Sequence, residues 1–166
     1  MGEARTVSDP TPALDLDIQQ LLRLLPHRFP FLLLDRVVEC VPGRYVIAYK
    51  GAARNEAFLS KSGRTLALPR ILLLEALAQA AVVLTFKTLR IEPSGKELMF
   101  YAGIDSCTFS GTAEAGHRLD LRADIARMLP SRGIGIFDGV GSIHGRTIVR
   151  ARLIAALRLE RHVDDN

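Results

Sequence analysis

Arg70-Ile71-Leu72-Leu73-Leu74-Glu75-Ala76-Leu77-Ala78-Gln79-Ala80-Ala81-Val82-Val83-Leu84-Thr85-Phe86-Lys87-Thr88-Leu89 decides the fold. The run is rich in Leu and Ala, lacks Gly and Pro, and follows Pro69, a residue suited to the first helical position. It is apolar on almost every face, so it belongs inside a protein or a membrane. Arg70, Glu75, Gln79 and Lys87 interrupt it too often for a membrane span. The stretch predicts a core helix that other elements must wrap.

The flanking sequence supplies the wrapping. Downstream, Leu98 to Phe109, Arg118 to Met128, Gly133 to Ile143 and Thr147 to Leu159 read as strands. Turn signals at Gly111 to Gly116, Pro130-Ser131 and His144-Gly145 separate them. Upstream, Leu14 to Leu25 reads as a short amphipathic helix that Asp15 or Asp17 caps and Pro26 ends. Phe31 to Leu34 fits a strand, Pro42-Gly43 a turn, and Arg44 to Ala52 the second strand of a hairpin. Asn55 to Leu68 reads as a polar loop. The class is therefore α+β: one curved antiparallel sheet around one long apolar helix. Residues 14–160 form a single domain between tails at 1–13 and 161–166.

Composition sets the outer limits. The chain has 166 residues, 48% hydrophobic and 24% charged, which suits one globular domain with its own core. Its two cysteines, Cys40 and Cys107, form no disulfide framework and fit a reducing compartment. No signal-peptide stretch opens the chain, so a cytoplasmic location is expected. The net charge of +4 comes mostly from scattered arginine without aromatic interleaving, which argues against nucleic acid. A basic surface suits an acidic protein partner. No His, Cys or carboxylate spacing matches a metal site, and no cofactor motif is present. Gly133, Gly135, Gly139 and Gly141 lie in a strand pattern with no helix following, so they indicate close backbone approach rather than a nucleotide loop.

Glu75 is the residue out of place. A carboxylate among Leu72, Leu73, Leu74, Ala76, Leu77 and Ala78 is costly unless paired or protonated. Gln79 lies one turn on and can hydrogen-bond to it. Two readings stand side by side: a general acid, or a structural carboxylate paired with an arginine or a loop.

Three stretches together resemble the 3-hydroxyacyl-acyl carrier protein dehydratases. They are Leu24-Leu25-Pro26-His27-Arg28-Phe29-Pro30-Phe31-Leu32-Leu33-Leu34-Asp35-Arg36; Pro69 with Leu73-Leu74-Glu75-Ala76-Leu77-Ala78-Gln79-Ala80; and Tyr101-Ala102-Gly103-Ile104-Asp105 with Gly133-Ile134-Gly135-Ile136-Phe137. The resemblance runs from about Leu16 to Leu157. It implies a hot-dog fold, a homodimer or larger assembly, and an acyl tunnel at the subunit interface. It implies removal of water from a 3-hydroxyacyl thioester carried on an acyl carrier protein. A histidine would take the proton beside the carbonyl, and Glu75 would protonate the departing hydroxyl. Gln79, Arg70 and Gly103 fall at substrate-binding positions.

The departures cluster at the chemistry. Counting from Asn55, Ser62 holds the place of the family's catalytic histidine; counting back from Glu75 the segment is one residue short, and no register supplies a His. The family's glycine at the helix start is Arg70, and its Pro-Gly-Asp turn reads Ala115-Gly116-His117. A serine is a weak base without its own activator. The expectation is an acyl-thioester-binding member that lacks its base, inactive alone or a subunit beside a His-containing paralogue. The alternative is an active enzyme using Glu75 and a substitute base, for which His27 is the nearest candidate.

Overall fold

The computed structural model describes residues 13–62, 65–94 and 97–159. Apart from residue 13, the expected tails lie outside these residues.

Three features of the N-terminal half differ from expectation. The stretch read as one helix divides in two. Leu14–Leu16 is a short strand, β1, and only Ile18–Leu24 is helical, α1. Asp17 explains the division. Its carboxylate accepts from Gln20 N at 2.9 Å, and Gln20 Oε1 accepts from Asp17 N at 2.8 Å. This reciprocal cap starts the helix at Ile18 and leaves the preceding residues extended. Second, Phe31 to Leu34 is not a strand. β2 begins only at Arg36 and runs to Val41. The backbone of Phe31 and Leu33 bonds instead to the side chain of Gln79, while Leu33 and Leu34 pack in the core. Third, Asn55 to Leu68 is not wholly loop. Ser60–Ser62 (β4) and Thr65–Ala67 (β5) form a small separate hairpin, with Ser62 opposite Thr65.

The rest follows the sequence closely. β3 spans Tyr45–Gly51, and α2 spans Arg70–Leu89 with Pro69 at its N-cap. Then come β6 (Glu97–Phe109), β7 (Arg118–Leu129), β8 (Ile134–Ile143) and β9 (Arg146–Leu159), with a 3-10 turn at Pro130–Arg132. One seven-stranded antiparallel sheet has the order β1-β2-β3-β7-β8-β9-β6.

The sheet wraps α2, which contacts β2, β3, β7, β8, β9 and α1. Length and composition alone would let α2 cross a membrane. Here residues from Leu72 to Phe86 are buried by the fold itself, Glu75 alone excepted. Leu73, Leu77 and Leu84 meet inward residues such as Leu121, Phe137 and Leu153 in one core. A fully buried side chain of this kind stabilises the fold by roughly 1.5–3 kcal/mol.

The glycines of β8 permit this packing. Inward positions alternate along the strand. A Cβ on Gly139 would lie 3.3 Å from both Leu77 methyls, and one on Gly141 would lie 2.6 Å from Val149 Cγ1. Bare backbone at these points lets helix and neighbouring strand approach, as the sequence pattern indicates.

Candidate active site

α2 presents two polar side chains toward the segment that leads from α1 to β2. Gln79 is 1% exposed, and its amide organises the site. Its Oε1 accepts from Leu33 N at 2.8 Å; its Nε2 donates to Phe31 O at 2.7 Å and to Glu75 Oε1 at 2.9 Å. One buried side chain thus satisfies two loop backbone groups and orients a carboxylate one turn away.

Glu75 is not sealed in the core. Its side chain is 32% exposed and opens into a cavity of about 440 Å³. Pro26, His27, Gln79, Val82, Phe86 and Tyr101 are among the residues lining that cavity. The side chain of His27 is 30% exposed, and its Nε2 lies 3.6 Å from Glu75 Oε1. The other imidazole nitrogen, Nδ1, is buried and has no hydrogen-bond partner among the described residues. Arg28 braces the loop backbone by donating to Leu25 O and His27 O, both at 2.8 Å.

Tyr101, on β6, closes the cavity from the sheet side. Its hydroxyl donates to the Ala78 carbonyl. Burial, and secondarily the Glu75 carboxylate, hold its phenol well above the ordinary tyrosine range. It therefore stays a neutral donor. Tyr101 lies in one of the motif stretches of the sequence, but periodicity does not reveal its burial under the helix.

A second polar cluster sets the segment leading to β4. Lys50 is 4% exposed and pairs with Glu56, while Gly51 O accepts from it at 2.9 Å. Asp35 lies 4.0 Å from Lys50 and accepts from Gly51 N at 2.6 Å. The neighbouring Phe58 ring meets Phe31 edge-on at 4.9 Å. The chain that carries Ser62 is thereby tied to the one that carries His27. Sequence alone gave Lys50 no part in this.

Of the expected site residues, the fold brings Glu75 and Gln79 together in the cavity. Arg70 is exposed at the first turn of α2, and Gly103 lies two residues beyond Tyr101 on β6; neither is among the cavity's lining residues. Ser62 ends β4. Among the described residues no group of three metal-ligating side chains occurs.

A long buried helix in an antiparallel wrap, with a glutamate and a glutamine facing one cavity, defines the class. Residues 25–152 match the FabA-like domain family, and the chain belongs to it. Within that family it is a relative of the 3-hydroxyacyl-[acyl-carrier-protein] dehydratases. The FabZ enzyme of Shewanella pealeana is 39% identical over 144 residues, covering 86% of this chain and 93% of its own. That of Mannheimia succiniciproducens is 40% identical over 148 residues, covering 89% and 96%. Among solved structures, the dehydratase heterocomplex ApeI:P from Xenorhabdus doucetiae aligns with a TM-score of 0.71 and 23% identity, over 86% of this chain and 91% of its own. A hypothetical thioesterase with coenzyme A from Streptococcus pneumoniae aligns at 0.57 and 10%, over 75% and 86%. These two show the shared fold, which is the hot-dog architecture expected from the sequence.

Proposed function

We propose that this chain binds an acyl thioester in the cavity beside Glu75 and supplies the acid, but not the base, of a dehydration. The orientation of Glu75 carries this reading: Gln79 holds a carboxylate at the wall of an otherwise largely apolar cavity.

In the reaction, a base removes a proton from C2, next to the thioester carbonyl. The electron pair forms the C2–C3 double bond, and the C3 hydroxyl leaves as water with a proton from Glu75. Val82 and Phe86 offer apolar lining for the acyl chain. The serine at position 62 supplies no proton acceptor of comparable strength. In a heteromeric enzyme, the base would come from a His-bearing paralogue. The Xenorhabdus neighbour is itself a dehydratase heterocomplex, which supports such an assembly on this fold. An acyl carrier protein is the proposed donor, docking on basic surface near Arg23 and Arg28 at the mouth.

A second reading rests on one distance. His27 Nε2, at 3.6 Å from Glu75, faces the same cavity and would be the substitute base of an enzyme active alone. Turnover tests separate the two. The first reading predicts no enoyl product from the purified chain and product when a His-bearing family member is added. The second predicts product from the chain alone, lost in both His27→Gln and Glu75→Gln.

A further inference from the structure

A second cleft of about 440 Å³ lies at the far end of the sheet, lined by Ser110, Thr112, His117, His144 and Arg146 among others. Tyr101 lines the acyl cavity near one end of β6, whereas Ser110 follows its other end. Tyr101 and Phe109 stand eight positions apart on β6, roughly 25 Å of extended chain. The two sites are therefore distinct.

Turn geometry fixes both imidazoles. His117 N donates to Glu114 O at 3.0 Å, and Glu114 N donates to His117 Nδ1 at 3.2 Å. Because Nδ1 accepts, the neutral ring carries its proton on Nε2. That nitrogen is then a donor, and a metal ion at Nε2 would require giving up the Glu114 bond. His144 sits in the left-handed region (φ 48) of the β8–β9 turn, beside Gly145. The two rings meet edge-on with centroids 5.7 Å apart.

Charge selects the ligand. Arg146 has no ion pair among the described residues. Arg127 and Arg150 on the same sheet have none either, whereas Arg118, Arg122 and Arg152 are each paired with an aspartate. Of the three unpaired ones only Arg146 lines this cleft. None of the lining residues is a carboxylate. The Ser110 hydroxyl donates to Thr147 O at 3.3 Å. The guanidinium, the two imidazoles and the Thr112 hydroxyl still make the cleft richer in donors than in acceptors, the pattern suited to a tetrahedral oxyanion.

We infer that this cleft binds a phosphate group, as the free anion or as the monoester of a larger molecule. Neither the acyl cavity nor Glu75 takes part in it.

The test is a titration of ¹⁵N-labelled protein followed through the imidazole nitrogens at pH 7 and constant ionic strength. Inorganic phosphate is one arm, adenosine 5′-monophosphate a second, and sodium chloride the control. Saturable movement of the His117 and His144 signals below about 10 mM ligand, with His27 unmoved, is expected; it corresponds to a Kd in the millimolar range. Arg146→Gln and His144→Asn should each weaken binding by about tenfold; asparagine tolerates the left-handed backbone, so the second variant keeps the turn. Tighter binding of the nucleotide would assign a phosphate monoester, and equal or tighter binding of inorganic phosphate the free anion. Movement no larger than with chloride, or titrations unchanged in both variants, would overturn the inference.

Discussion

Gln79 Nε2 lies 2.9 Å from Glu75 Oε1, and the same amide holds Leu33 N and Phe31 O. One buried side chain therefore serves both the fold and the carboxylate. Replacing it by leucine should leave a backbone N–H and a backbone C=O unpaired beneath the loop. Each such group costs about 1–3 kcal/mol. Urea unfolding of Gln79→Leu is expected to show a loss of roughly 2–5 kcal/mol. A loss below 1 kcal/mol would mean that water or another group takes over.

Glu75→Gln should behave differently. The carboxamide oxygen can still accept from Gln79, and the side chain borders a cavity rather than the core, so stability should change by less than about 1 kcal/mol. Acyl-thioester binding should persist, while dehydration in a heteromeric mixture should fall about 100- to 10,000-fold. Calorimetric binding and turnover, measured on one preparation, check both halves.

Much of this architecture was legible in the chain itself. Arg70 to Leu89 is apolar all round, so a helix that needs cover on every side could be read directly. The four C-terminal strands followed from the turn residues between them. Three elements depart from local pattern, two of them because a side chain overrides it. The Asp17–Gln20 cap shortened the first helix. The Gln79 amide took the backbone bonds that a strand at Phe31 to Leu34 would have used. The β4 and β5 strands are only three residues each, Ser60–Ser62 and Thr65–Ala67, too short to show an alternation. At the site, Glu75 and Gln79 stood out as polar residues in an apolar helix. That His27 approaches Glu75, and that Tyr101 closes the same cavity, depends on contacts between residues 48 and 26 positions apart, from Glu75 to His27 and to Tyr101, which no local spacing encodes.

The two thiols should report the core. Burial pushes the Cys40 thiol up to about 11 and also raises that of Cys107, which is only partly buried. The thiolate is the reactive form, so at pH 8 iodoacetamide should modify Cys107 slowly and leave Cys40 untouched in the native state. Both should react in denaturant. Labelling of native Cys40 at the rate of Cys107, read by mass spectrometry, would contradict the packing of β2.

Asp138 gives the sign of an acid effect. Its bidentate bond with Arg152 holds its carboxyl below the ordinary value of 3.8. A folded value below the unfolded one means that the contribution is present above about pH 4 and disappears as pH falls through the folded value. Asp138→Asn should therefore destabilise slightly at pH 6, the pair being half-exposed and screened, and by progressively less as pH falls through the folded value. Urea midpoints of wild type and variant should converge on acidification; a gap that widens would reverse the assignment.

The most direct measurement is incubation of the purified chain alone with a 3-hydroxyacyl-acyl carrier protein, following enoyl product by mass spectrometry, with Glu75→Gln and a His-bearing family dehydratase beside it. The account predicts no product from the chain alone, and product that depends on Glu75 once the His-bearing subunit is present. Product from the chain alone that Glu75→Gln abolishes would contradict it, and loss of that product in His27→Gln would identify the base.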